Sequence, residues 1–224
     1  TSGAGANPEW SDLAERTEAL AMQRMMRQQP AETVERLGIS APDLADGVHC
    51  VVVRDPMWGY WNKALGFCSP VSEDTVLEAT TRARELQVPA FALQVQPRAL
   101  PDDWAEVTER HLLTEGTMFV KLFGPAQPRE VETDLVIARL TAADAVDFTH
   151  VMSIGFGFDE TPEAHALFDA PEFFEGDWAS YGAYDGETLV AAARMCVVAE
   201  TDAVALFGAA TVPEGRNRGA QGAL

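Results

Sequence analysis

The chain has 224 residues, of which 47% are apolar, and its 16 basic and 35 acidic side chains give a formal net charge of -19. This length predicts two domains of modest size, and the apolar content is sufficient for packed cores. The excess of negative charge repels phosphate backbones and anionic lipids, which argues against nucleic acids and membranes as partners. We expect a cytoplasmic protein, because the sequence has neither the roughly 18 consecutive apolar residues of a membrane span nor a signal-peptide pattern.

Cysteine and histidine usage gives no indication of a metal centre. The three cysteines, Cys50, Cys68 and Cys196, are far apart in apolar sequence, which is typical of buried free thiols in a reducing compartment. The four histidines are also far apart, and no pair has the short spacing of metal ligands. The sequence therefore predicts a globular protein without a metal site.

The first half of the sequence alternates helical and extended patterns. Apolar residues at helical spacing over 9–37, interrupted by Pro30 and closed by Gly38, predict two helices. After them come two strand candidates, a helix opened by Ser72, a strand, a helix opened by Pro101 and a final strand. The strands are predicted at 48–54, 63–68, 90–96 and 116–123. This ββαβαβ order is typical of a mixed, partly parallel sheet with helices against its faces.

The second half begins after a turn-rich segment, 124–129, which we take as the linker between two domains. Strands are predicted at 134–140, 178–184, 188–198 and 203–211. After the first of them, Thr141 is placed as the N-cap of a helix that has Asp144 in its first turn. The pair Asp185-Gly186 predicts a hairpin between the second and third strands. The last strand runs into a turn that is rich in glycine and arginine.

This final turn has the composition of an anion-binding site. Gly219 and Gly222 allow the backbone to approach a ligand closely, and the N–H groups at a helix start carry partial positive charge. After residue 124 the sequence has seventeen acidic residues and five arginines, yet two of those arginines, Arg216 and Arg218, lie in this turn. Positive charge is concentrated at one place in an acidic domain, which predicts a phosphate site.

Residues 211–224 resemble the pyrophosphate loop of Gcn5-related N-acetyltransferases. The family pattern is Arg or Gln, two residues, Gly, one residue, and then Gly or Ala. Arg216 and Gly219 match the first two fixed positions, whereas Gln221 stands at the third. The preceding order of strand, helix, insert, hairpin and strand also resembles the first half of that fold, over residues 132–224. The resemblance implies an α+β (mixed α/β) fold with two related sheet-and-helix units.

The resemblance also implies a binding site for acetyl-CoA as co-substrate. Thr211 and Val212 would offer backbone hydrogen bonds to the pantetheine arm of CoA, and the turn would hold the pyrophosphate. The residues of that turn are Arg216, Asn217, Arg218, Gly219, Ala220, Gln221 and Gly222. The implied reaction is transfer of an acetyl or other acyl group to an amine of a small molecule or peptide, by direct attack of the amine on the thioester.

The general acid and base of that reaction are not assigned from this sequence. In the family the acid is commonly a tyrosine of a late helix, which would lie beyond Leu224. Glu160, Glu163 and His165 could reach an acceptor, but solvated side chains on a helix face explain them better. A non-catalytic acyl-CoA sensor and a structural module without CoA affinity are the alternatives. A homodimer is a possible assembly, and the oligomeric state stays open.

The two halves are predicted to be copies of one fold. Residues 1–124 have a strand and helix order like that of the family's later elements but lack its loop, because 66–72 contains neither arginine nor closely spaced glycines. We therefore expect 1–124 to be a degenerate domain without CoA. Residues 125–224 are expected to be the first half of the acyl-CoA-binding domain, interrupted at Leu224, so that the natural polypeptide should continue.

Overall fold

A computed structural model describes residues 8–88, 90–127 and 130–224. The chain divides into two compact units, one formed by the residues up to Arg27 with Val34–Pro125 and the other by Gln28–Thr33 with Ala126–Leu224. Each unit contains a four-stranded sheet. The predicted combination of helices with mixed and antiparallel strands is confirmed. In the described residues no helix has the length and apolar composition that crossing a bilayer requires.

The two helices predicted at the start of the chain are present as α1 (Pro8–Arg27) and α2 (Ala31–Leu37). Pro30 separates them, and Gly38 ends the second helix with a positive φ of 63°. One face of α1 is buried, because the apolar residues recur at helical spacing. Its buried apolar residues include Ala19, Ala21, Met22, Met25 and Met26.

The first sheet has the order β1-β2-β3-β4. Its strands are β1 (Ile39–Ser40), β2 (His49–Val53), β3 (Lys63–Phe67) and β4 (Ala92–Val95). The first three strands pair antiparallel, whereas β3 and β4 pair parallel. Two helices complete this part of the chain, α3 (Glu73–Glu85) and α4 (Trp104–His111). Because α3 provides the crossover between the parallel strands, the predicted mixed sheet is confirmed.

The strand predicted at 116–123 is wrong, since this segment has no regular secondary structure and pairs with no strand. Alternate side chains are held by the first unit: the Phe119 ring lies 6.0 Å from that of Tyr60, and Lys121 Nζ lies 2.5 Å from Glu15 Oε2. The intervening Met118, Val120 and Leu122 are 84%, 83% and 93% exposed. The alternation of apolar residues therefore reflects which side chains make contacts, and it does not require hydrogen bonding to a neighbouring strand.

The first unit places its own carboxylate at the junction between β3 and α3. Ser72 is the N-cap of α3, and its Oγ lies 3.1 Å from Asp46 Oδ2. Thr75 Oγ1 donates to the same carboxylate oxygen at 2.7 Å. The cavity beside this junction measures about 10 Å³, which is room for about one water molecule at most. An anionic side chain and the cap thus occupy the start of α3.

The second sheet is antiparallel throughout, in the order β5-β6-β7-β8. Its strands are β5 (Val136–Arg139), β6 (Trp178–Asp185), β7 (Thr188–Val198) and β8 (Ala203–Thr211). The predicted hairpin is confirmed, because Asp185 pairs with Thr188 across a two-residue turn. The other elements are the helices α5 (Ala145–Phe156), α6 (Pro162–His165) and α7 (Ala220–Ala223). The predicted cap at Thr141 is also confirmed, as a capping box with Asp144 that precedes α5.

A buried arginine lies in the core of the second unit. Arg194 on β7 is 3% exposed, and its guanidinium carbon lies 4.3, 4.9 and 5.0 Å from the ring centroids of Phe148, Phe173 and Phe174. Its Nε donates to Ser180 Oγ and its Nη2 to the carbonyl oxygen of Phe168, each at 3.0 Å. Burial lowers the pKa of Arg194 to about 9, so the side chain is still cationic at neutral pH.

Within the described residues no disulfide joins any of the three cysteines. Cys50 and Cys196 are buried as predicted, but Cys68 is partly exposed, which corrects the expectation for that residue. Burial raises the pKa of the Cys50 thiol to about 12. Because the thiolate is the reactive form, Cys50 is inert at neutral pH.

We predict that Asp46→Ala lowers the free energy of unfolding by about 1 to 2 kcal/mol, since it removes an acceptor for Thr75 and places alanine at a positive φ. The φ of Asp46 is 58°. Asp46→Asn is the matched control, because asparagine keeps an acceptor and tolerates this backbone conformation. Urea unfolding of both variants checks the prediction, and equal losses in the two would contradict it.

Candidate functional site

The site is built at the end of β8, where the strand carries a bulge. Ala193 pairs with Ala209 and Arg194 pairs with Phe207, so Gly208 is an extra residue on β8. A bulge bends the strand and disrupts the ladder locally. The last residues of β8 are thereby directed toward the turn that contains the arginines.

Helix α5 closes one side of this region through a close approach at Gly155. A Cβ atom at this position would lie 2.6 Å from the Cβ of Ala210 and 3.1 Å from the backbone nitrogen of Thr211. Real side chains do not tolerate the shorter of these distances. Glycine is therefore required for α5 to reach the end of β8.

The turn after β8 exposes a series of backbone donors. Asn217 and Gly219 have φ values of 62° and 78°, whereas Arg218 between them is not among the positive-φ residues. In the part of the chain that the structure describes, the N–H groups of the five residues from Asn217 to Gln221 donate to no acceptor. Alternation of φ sign with successive free N–H groups is the arrangement of an anion-binding nest.

A cavity of about 400 Å³ opens beside this turn. Its lining contains seven of the nine predicted site residues: Thr211, Arg216, Asn217, Gly219, Ala220, Gln221 and Gly222. Four further lining residues were not predicted, namely Gly155, Ala209, Ala210 and Gly215. All four are glycine or alanine, so the sequence signal for them is the small size of residues at positions where backbone segments approach one another.

Arg216 carries the available positive charge of the cavity. Its side chain is exposed, and its Nε donates to the carbonyl oxygen of Thr211 at 3.3 Å. Among the described residues its guanidinium has no carboxylate partner. The remaining N–H groups of Arg216 can therefore donate to an anion.

Arg218 is bonded within the protein. The resemblance implies that it helps to hold the pyrophosphate, whereas here its side chain is 25% exposed and bonded to two carboxylates, those of Asp134 and Asp185. Hydrogen bonding to Arg218 lowers the pKa of both aspartates. The same hydrogen bonds raise the pKa of Arg218. The charge of this arginine is therefore compensated within the protein.

Val212 is also engaged within the second unit. Its N–H donates to the carbonyl oxygen of Val190, and its carbonyl oxygen accepts from the N–H of Gly215, each at 3.0 Å. Val212 is buried and lies outside the cavity lining. The backbone N–H of Val212 is therefore already used within the protein.

The acidic residues considered for an acceptor site lie apart from the cavity lining. Glu160 forms an ion pair with His150, and both side chains are about half exposed. Glu163 and His165 lie on the short helix α6. In the described residues no group of three His, Cys, Asp or Glu side chains could hold a metal ion.

Comparison with solved structures identifies the fold. The chain aligns with a GCN5-related N-acetyltransferase from Kribbella flavida over 92% of its own length and 75% of that chain, with a TM-score of 0.53 and 15% identity. It therefore has the fold of Gcn5-related N-acetyltransferases, as predicted. No protein-family model and no curated protein matches the sequence.

Two other solved structures align less closely. A ribosomal-protein-alanine N-acetyltransferase from Brucella melitensis biovar Abortus 2308 aligns over 40% of this chain, with a TM-score of 0.33 and 18% identity. This chain spans 65% of the length of that protein. A functionally unknown conserved protein from Staphylococcus epidermidis ATCC 12228 aligns over 84% of this chain and 80% of its own, with a TM-score of 0.46 and 10% identity.

We predict that Gly219→Ala destabilises the protein by about 3 kcal/mol, because it adds steric overlap to an unfavourable backbone conformation. A Cβ atom at Gly219 would lie 2.4 Å from the carbonyl oxygen of Glu132. Gly186→Ala is the matched control, since Gly186 has a φ of 61° and a Cβ atom there would meet nothing within 4 Å. The control should lose only about 1 kcal/mol. Urea unfolding measures both, and equal losses would refute the steric argument.

Proposed function

We propose that this chain belongs to an acyltransferase that binds acyl-CoA and transfers its acyl group to an amine. The observation that carries the proposal is a row of five N–H groups, from Asn217 to Gln221, which donate to no acceptor among the described residues and lie beside a cavity of about 400 Å³. Arg216 adds a cationic side chain without a carboxylate partner among the described residues. This donor set suits a pyrophosphate, and the chain has the fold of acetyltransferases.

The residues of the site have separate roles in holding acyl-CoA. The amides of the turn would donate to the pyrophosphate oxygens, and Arg216 would add charge-assisted hydrogen bonds. Thr211 and the residues before it would line the path toward the bulge in β8. The small side chains of Ala209 and Ala210 leave room for a narrow ligand arm beside α5. Acyl-CoA would supply the activated thioester, and the protein would supply its position.

We propose a small molecule or peptide with a cationic amine as the acceptor. After residue 124 the sequence has seventeen acidic residues and five arginines, so the second unit repels anionic acceptors and attracts cationic ones. An amine must lose a proton before it can attack a thioester, which requires a general base. The described lining of the cavity contains no carboxylate, imidazole or phenol that could take this role.

That composition of the lining favours a second candidate, a protein that binds acyl-CoA without transferring the acyl group. An assay of CoA thiol release from acetyl-CoA, with polyamines, amino acids and peptides as acceptors, separates the two. Release that depends on an amine supports the enzyme. Calorimetric binding of acetyl-CoA without release under any acceptor supports the sensor, and absence of binding eliminates both.

We predict that Arg216→Ala weakens acetyl-CoA binding about tenfold or more, because one charge-assisted contact to phosphate contributes roughly 1.5 to 3 kcal/mol. The matched control is Arg139→Ala, which removes the same charge from an exposed position on β5. Isothermal titration calorimetry of wild type and both variants checks the prediction. Equal affinities for wild type and Arg216→Ala would remove the turn as the phosphate site.

A further inference from the structure

The side chain of Arg218 forms a bridge between two aspartates of the second unit that are far apart in the sequence. Its Nε donates to Asp134 Oδ1 at 3.0 Å, and its Nη2 donates to Asp134 Oδ2 at 2.5 Å. Its Nη1 donates to Asp185 Oδ2 at 2.6 Å, and Nη2 also lies 3.3 Å from Asp185 Oδ1. All three guanidinium nitrogens therefore face carboxylates, and the two-point contact with Asp134 fixes the plane of the group.

We propose that Arg218 is a positioning residue, which holds the turn in the conformation that presents its N–H groups, and that it is not a phosphate ligand. The proposal rests on the proposed function, because it concerns how the same turn receives pyrophosphate. It replaces the role predicted for Arg218 from the sequence. Arg216, two residues earlier, keeps the role of ligand.

The two aspartates lie where the sheet can anchor the turn. Asp134 comes just before β5, and Asp185 ends β6. These strands pair with Val136 opposite Tyr184, so that both carboxylates belong to the same end of the sheet. A side chain that bonds both aspartates is therefore held by the last residue of β6 and by a residue two positions before β5.

The adjacent residue, Gly219, packs closely against the same segment. The absent side chain of Gly219 allows its backbone to approach the carbonyl oxygen of Glu132, which would lie 2.4 Å from a Cβ atom. The Arg218 bridge therefore bonds the turn to Asp134, and the neighbouring Gly219 packs against Glu132. Within the described residues the N–H groups of 217–221, which donate to no acceptor, lie on both sides of the bonded residue in the sequence.

The bridge also affects the electrostatics of the turn. Without Arg218, the carboxylates of Asp134 and Asp185 would stand uncompensated beside a site for an anion, and they would repel it. A positioning role and a ligand role make opposite predictions when the aspartates are removed. If Arg218 were a ligand, losing both carboxylates would free it and leave acetyl-CoA binding unchanged or tighter. If it positions the turn, the same change should weaken binding.

The test compares Arg218→Ala with the double variant Asp134→Ala/Asp185→Ala by calorimetric titration with acetyl-CoA. We expect each to bind about tenfold more weakly than wild type, and the triple variant to bind no more weakly than the single one, because the three residues act as one unit. Unchanged or tighter binding by the double aspartate variant would overturn the proposal. Circular dichroism verifies folding, and the Asn variants at both aspartates replace the Ala variants if those fail to fold.

A rescue variant and a ligand-free measurement complete the test. Arg218→Asp combined with Asp134→Arg restores an opposite-charge pair, so it should bind acetyl-CoA more tightly than Arg218→Asp alone, whereas a phosphate-ligand role predicts no recovery. Hydrogen exchange of the Gly222 and Ala223 amides, which bond to the carbonyl oxygen of Gly219 at 3.0 and 3.1 Å, should be faster in both alanine variants than in wild type.

Unchanged exchange in both variants would overturn the positioning role even if acetyl-CoA bound. If wild type fails to bind acetyl-CoA, the proposed function falls, and faster exchange would still support the bridge as the element that holds the turn. The two failures are therefore distinguishable.

Discussion

The geometry of the second unit depends on the burial of Arg194. A guanidinium that leaves water loses a large hydration free energy, and the loss is tolerated only where hydrogen bonds and favourable electrostatics offset it. Ser180 on β6 and the carbonyl of Phe168 provide acceptors, and the faces of three phenylalanine rings provide cation–π contacts. These partners come from β6, α5 and the segment between α6 and β6, so one side chain determines how these elements meet β7.

This arrangement leads directly to the site. Arg194 pairs across the ladder with Phe207, next to the extra residue Gly208. The helix that contributes Phe148 to the ring cluster also contributes Gly155, which lies against the end of β8. The helix α5 therefore takes part in the core through Phe148 and in the lining of the cavity through Gly155. Core packing and the site are connected through this one helix.

Sequence periodicity and capping chemistry predicted most of the regular structure. Ser72 and Thr141 act through contacts within three residues, so local sequence is sufficient to identify them as caps. The prediction of a strand at 116–123 was wrong because alternation of buried and exposed residues also arises when only side chains, and not backbone groups, are held in place. The role expected for Arg218 changes for another reason. Its partners Asp134 and Asp185 are 84 and 33 residues away, and no local pattern connects them.

The two units differ in how the N–H groups at the junction between a strand and a helix are bonded. At a junction between a strand and a helix the first N–H groups need acceptors. In the first unit Ser72 and Asp46 lie at that junction, and the cavity there is about 10 Å³. In the second unit the carboxylates of Asp134 and Asp185 bind an arginine side chain, and within the described residues the amides of 217–221 donate to no acceptor. In the first unit the hydroxyl of Ser72 accepts from the N–H of Thr75, and Asp46 accepts from the hydroxyls of both residues, whereas in the second unit the amides are left for an anion from solution.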